Sequence, residues 1–98
     1  MNRRLVIRAR ARREMDEAFT WYSDRSKEVA ADFVDALREG LIAVRDDPLR
    51  YPVIYKDKRR FLLRRFPYGL FYTIKPEEII VLSCFHGRRN PARWRSRR

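Results

Sequence analysis

The sequence has a single cysteine, Cys84, and a single histidine, His86. One thiol excludes an intramolecular disulfide and any zinc site built on cysteines, and one imidazole offers no ligand set for a metal. No metal and no other cofactor is therefore expected. Long apolar runs are missing too. None approaches the ~20 residues of a membrane span, and after the basic start Met1–Arg4 the apolar stretch Leu5–Ile7 is far too short for a secretory signal. The expectation is a cytoplasmic chain without membrane contact. Acidic residues are scarce in one half only: residues 48–98 hold three Asp+Glu against fourteen Lys+Arg, whereas residues 1–47 hold ten of each. The whole formal charge of +11 lies in the second half.

What is present in that half is arginine. Arg outnumbers Lys twenty to four over the chain, and six of the last eleven residues are Arg88, Arg89, Arg93, Arg95, Arg97 and Arg98. Codon bias raises arginine everywhere and does not explain the asymmetry between halves. A planar guanidinium fork pairs bidentately with carboxylate or phosphate, so an acidic protein or a nucleic acid is the expected partner.

Ninety-eight residues suit a single domain, 1–98, with residues 95–98 expected to be a frayed basic tail. Leu5-Val6-Ile7 reads as a short strand. Ala11, Met15, Ala18, Phe19 and Tyr22 recur at helical spacing up to about Arg25. Ser26 is placed to cap a second helix, whose stripe is Ala30, Phe33, Val34, Leu37, Leu41 and Val44 and which stops before Pro48. The period then shortens. Tyr51–Tyr55 reads as a loop or short extended piece, and Arg59–Phe66 as a strand. Pro67-Tyr68-Gly69 reads as a turn, Leu70–Lys75 as a second strand and Ile79–Phe85 as a central strand buried on both faces. Asn90-Pro91 can open a short terminal helix or turn carrying Trp94. The order β-α-α-β-β-β predicts a two-layer α+β domain: an N-terminal strand and an antiparallel helical hairpin packed on an antiparallel sheet whose other face stays open for function.

The run Arg64-Arg65-Phe66-Pro67-Tyr68-Gly69-Leu70-Phe71-Tyr72-Thr73-Ile74, with Cys84-Phe85-His86-Gly87-Arg88-Arg89-Asn90-Pro91, resembles the ParE/RelE superfamily of type II toxin–antitoxin toxins. The resemblance runs from Leu5 to about Trp94. It implies a small toxin, associated with plasmid stabilisation and growth inhibition, that an acidic antitoxin wraps and neutralises in a hetero-oligomer. RelE-like members of the superfamily cleave mRNA on the ribosome; ParE-like members are associated with poisoning DNA gyrase without nuclease chemistry.

RNA cleavage needs a base, a cation for the phosphorane and an acid for the leaving oxygen. In the nuclease relatives these come from lysines on the first meander strand, an Arg after the hairpin tyrosine, and an Arg and a Tyr near the C-terminus. Here Gly69 follows Tyr68, the strand positions hold Arg60 and Leu62, Arg89 stands for the C-terminal Arg, and no tyrosine follows Tyr72. The departures favour a ParE-like gyrase poison over an enzyme. The alternative is a ribosome-dependent mRNA endoribonuclease in which His86, Arg88 and Arg89 carry the reaction.

Expected target contacts are Arg60, Arg64, His86, Arg88, Arg89 and Trp94. Expected antitoxin contacts are Trp21, Arg65 and Arg89. Two readings of His86 stand at this point. It is either a structural ring whose nitrogens meet backbone groups or a target-facing group able to take or give a proton. By strand alternation His86 shares a face with Ile80, Leu82 and Cys84. Phe61 and Leu63 are expected to face the helices, with Arg60 and Arg64 on the open sheet face. Trp21 sits at the edge of its helix stripe, either as an interface residue or as packing. Trp94 either pins the terminal segment or reads a base.

Overall fold

The structure, a computed structural model, describes residues 3–86. The elements follow the sequence pattern: β1 (Arg4–Ile7), α1 (Ala9–Ser23), α2 (Lys27–Asp46), a 3-10 turn at Pro48–Arg50, β2 (Val53–Tyr55), β3 (Lys58–Leu62), β4 (Tyr68–Ile74) and β5 (Glu78–His86). The sheet order is β1-β5-β4-β3-β2. The meander is antiparallel as expected, and Tyr51–Tyr55 adds a short strand to its edge. β1 joins on the far side, parallel to β5, so the sheet as a whole is mixed. No helix among the described residues is long and apolar enough to cross a membrane.

Local chemistry sets the helix ends. Ser26 accepts a hydrogen bond from the Val29 backbone N–H at 3.2 Å and starts α2, a cap worth about 1 kcal/mol. Pro48 bars helical geometry at Asp47, and α2 ends at Asp46. α1 begins two residues earlier than the apolar spacing suggested, so Glu14 falls in its second turn rather than near its N-terminal dipole.

The helical hairpin lays Ala11, Met15, Ala18, Phe33, Ala36 and Val44 on Leu70, Tyr72, Ile79, Val81 and Cys84. Phe33 is fully buried, and cutting such a ring back to alanine costs about 3–5 kcal/mol. Gly40 lets α2 approach the sheet: a Cβ there would lie 3.0 Å from both Phe61 and Leu63 and 3.1 Å from Leu70. Phe61 and Leu63 thus face the helices, as expected. Phe19 leaves the predicted stripe and stays 40% exposed.

Three expectations are corrected. The strand predicted over Arg59–Phe66 stops at Leu62, because the chain reverses over residues 63–67. Arg65 takes the left-handed conformation there (φ 66°), and the Leu63 N–H donates to the Tyr68 carbonyl at 2.9 Å. The reversal therefore precedes Tyr68 and Gly69, which belong to β4.

The second sheet face is not open. The pairings Arg60↔Phe71, Gly69↔Phe85 and Thr73↔Ile80 put these residues on it, and Phe71, Thr73, Ile80 and Phe85 are buried. The two-faced burial of the apolar run in β5 and an open face beside it were incompatible expectations, and burial prevails.

The alternation along β5 is broken. Phe71 pairs with Ser83 while Tyr72 pairs with Val81, so Leu82 is an extra residue in the ladder. Such a bulge reverses face parity beyond it. Ile80 opposes Thr73 on the second face, whereas Cys84 opposes Leu70 and His86 opposes Tyr68 on the helix face.

Tyr72 anchors the segment after α2, its hydroxyl donating to the Pro48 carbonyl at 2.6 Å. Burial pushes the Tyr72 phenol up to about 12 from 10.0. Burial, with a further contribution from the Glu14 carboxylate, pushes the Cys84 thiol up to about 12 from 9.0. Both groups keep their protons longer in the folded chain, so their contribution is complete below the unfolded values and is lost as pH rises toward the folded ones. We expect stability to fall between pH ~9 and ~12 for this reason. Tyr72→Phe should cost about 1–2 kcal/mol at pH 7 in urea denaturation, and should flatten the upper part of the alkaline loss.

Candidate functional site

A groove of ≈ 520 Å³ lies between α1 and the end of the β4–β5 hairpin. α1 contributes Glu14, Glu17, Ala18, Trp21 and Tyr22; the hairpin contributes Pro67, Tyr68, Cys84, Phe85 and His86. The bulge at Leu82 brings His86 to this side. Were Leu82 a regular rung of the ladder, the imidazole would lie on the opposite face of the sheet.

One interaction holds the two walls together. β1 covers β5 only from Glu78 to Val81, and beyond it the outer edge of β5 has no strand neighbour among the described residues. The Glu14 carboxylate takes that place. Its Oε1 accepts from the Ser83 hydroxyl at 2.9 Å and from the Cys84 backbone N–H at 3.1 Å. Hydrogen bonds to a charged acceptor contribute about 1.5–3 kcal/mol each, so this clamp fixes α1 against the bulged strand.

Aromatic rings form the floor. Tyr22 meets Phe33, Phe66 and Tyr68 at centroid distances of 5.2, 5.1 and 6.3 Å. His86 stands edge-on to Tyr68 at 5.4 Å. Trp21 is half exposed at the rim, edge-on to Tyr22 at 5.1 Å. The Arg25 guanidinium lies 3.6 Å from the Trp21 ring centroid, and its Nη1 donates to the Trp21 carbonyl at 2.7 Å. Glu17 is exposed and has neither a hydrogen bond nor an ion pair among the described residues.

Of the described residues singled out from sequence, the groove gathers Trp21 and His86 and leaves Arg60, Arg64 and Arg65 apart. Arg60 lies on the second face, its stem against Gly69, where a Cβ would come within 3.2 Å of the Arg60 Cγ. Its Nε is buried without an acceptor among the described residues. Arg64 is not on the sheet face: with β3 ended at Leu62, it turns to the helix layer, 3.8 Å from Glu39 of α2. Arg65 lies with it in a small polar pocket beside Asp32, Asp35 and Glu39. Arg88, Arg89, Trp94, the terminal helix or turn and the 95–98 tail lie outside the described residues.

Glu14, Glu17, Pro67 and Tyr68 were missed as groove residues. A signal for the first two existed: Glu14, Glu17 and Trp21 stand at i, i+3 and i+7, one stripe of a helix. Another cation proves structural, since Arg59 Nη1 donates to the Tyr51 and Leu49 carbonyls at 2.6 and 3.2 Å and fastens the loop before β2. No group of His, Cys, Asp and Glu among the described residues is arranged to hold a metal.

Glu14→Ala removes the clamp, taking its acceptor from the Ser83 hydroxyl and the Cys84 N–H. We expect a loss of about 1–3 kcal/mol in denaturant melts. Glu14→Gln keeps a neutral acceptor and should lose clearly less. Hydrogen exchange of the Cys84 amide should accelerate in the alanine variant before global unfolding does.

Residues 5–91 match the family described as ParE toxin of type II toxin-antitoxin system, parDE. Toxin ParE2 of Mycobacterium tuberculosis, in strain CDC 1551 / Oshkosh and in strain ATCC 25618 / H37Rv, is 30% identical over 95 residues, covering 93% of this chain and 88% of the relative. A solved structure described as the chromosomal ParDE TA system from P. aeruginosa superposes with a TM-score of 0.76 over 86% of this chain and 95% of that one. At 19% identity that likeness is one of fold.

Proposed function

Since the chain belongs to the ParE toxin family and is the toxin of a type II toxin–antitoxin system, we propose that it stops growth by binding DNA gyrase and holding it on cleaved DNA, without chemistry of its own. In this reading residues 1–98 form one toxin domain. The segment from His86 to Trp94, with Arg60 and Arg64, supplies its target contacts. A cognate acidic antitoxin covers it in a hetero-oligomer through contacts that include Trp21, Arg65 and Arg89.

The observation that carries the reading is the company His86 keeps. A phosphodiester cut at this imidazole would need a cation for the developing phosphorane charge. The groove supplies Glu14 and Glu17 instead, two carboxylates that repel a phosphate. Arg60, the described cation standing where the nuclease relatives have a strand lysine, sits on the opposite sheet face. Gly69 and Leu62 occupy positions where those relatives place an arginine and a lysine. The competing reading, a ribosome-dependent mRNA endoribonuclease, therefore keeps His86 but has Arg88 and Arg89 for its cations.

The test is purified gyrase with relaxed plasmid, ATP and this chain. We expect supercoiling to fall and protein-linked linear DNA to accumulate, with mRNA on programmed ribosomes left intact. Normal supercoiling at excess toxin overturns the reading. Cleavage of mRNA that is lost in His86→Ala, in a chain that still folds, replaces it with the nuclease.

A further inference from the structure

The groove has the opposite sign to the chain that carries it. In a protein of formal charge +11, its polar wall is acidic, with Glu14 committed to β5 and Glu17 exposed. Glu17 makes no ion pair among the described residues, although arginines crowd the same helix at positions 10, 12 and 13. Much of the remaining lining is aromatic, with Trp21, Tyr22, Tyr68 and His86 among it. A carboxylate set among π faces attracts a cation by charge and by ring quadrupole together. The Arg25 guanidinium on Trp21 is an instance of that stacking at the groove's rim.

We propose that the groove receives one arginine or lysine side chain from the antitoxin, which the Glu17 carboxylate and the Trp21 and Tyr68 rings recognise. This rests on the antitoxin being the partner in the proposed function. The antitoxin is the fitting occupant because two copies of this chain, each at +11, repel one another. Exposed Trp21 at the rim also offers apolar surface for a covering segment. A basic residue runs against the overall sign expected of an antitoxin. It contributes little to the bulk attraction and instead fixes register, and a non-cognate antitoxin with an acidic or apolar residue there meets a repulsive or unpaired carboxylate.

The probe is N-acetyl-arginine amide, a single guanidinium with neutral ends, added to the full chain and followed by NMR at the ring resonances of Trp21, Tyr68 and His86. We expect saturable shifts in the millimolar range, absent with N-acetyl-norleucine amide and N-acetyl-aspartate amide, and weakened about threefold or more by Glu17→Gln. The cognate antitoxin should displace the probe. The proposal is overturned by an equal response to the norleucine derivative, by insensitivity to Glu17→Gln, or by probe shifts that persist in the antitoxin complex. It is also overturned if the same resonances move with protein concentration alone, which assigns the groove to a second copy. Probe binding that appears only when Arg88 and Arg89 are both changed to Gln assigns it to the chain's own arginines. None of these readouts involves gyrase, so a failed gyrase reading leaves them intact.

Discussion

The carboxylate of Glu14, accepting from the Ser83 hydroxyl and the Cys84 amide, is the contact on which the functional end of the molecule depends. A β-strand that outruns its neighbour leaves backbone donors facing no partner, and buried donors of that kind are costly. β5 outruns β1 after Val81, and a side chain from α1 closes the gap. The same contact sets the height of α1 over the sheet. That height determines whether Trp21 and Tyr22 meet Tyr68 and His86 in one groove. The bulge at Leu82 is its counterpart on the strand, since it turns Cys84 and His86 toward the helix that Glu14 tethers.

Much of this architecture was legible in the sequence. Helical spacing, the Ser26 cap and the Pro48 stop located α1 and α2 to within two residues, and the continuous apolar run located β5. The bulge was not legible, because one extra residue inside a nearly all-apolar run leaves the polarity pattern almost unchanged while reversing the face of everything after it. The end of β3 was hidden for a related reason. Arg64, Arg65 and Phe66 read as extended by composition, and only the left-handed backbone at Arg65 turns them away. The groove's acidic wall could have been read from the spacing of Glu14, Glu17 and Trp21. It was passed over because helix carboxylates are ordinarily solvated.

Charge and geometry divide the labour between the two halves of the chain. The neutral half supplies the helical hairpin and, through Glu14 and Glu17, an acidic wall beside aromatic rings. The basic half supplies the meander and the arginines that follow it. Within the described residues of that half the arginines serve separate places: Arg60 on one sheet face, Arg64 and Arg65 beside α2, and Arg59 spent on backbone carbonyls. That dispersion suits a protein that binds broad macromolecular surfaces better than one that converges several charges on a single phosphate. It agrees with a toxin whose effect comes from occupancy of its target.

The central claim is that growth stops through gyrase and not through RNA cleavage. Induction of the chain alone, followed within minutes by separate pulse labelling of DNA and protein synthesis, tests it most directly. The account predicts that DNA synthesis falls first and the DNA-damage response follows while translation continues. A fall in protein synthesis ahead of DNA synthesis would contradict it.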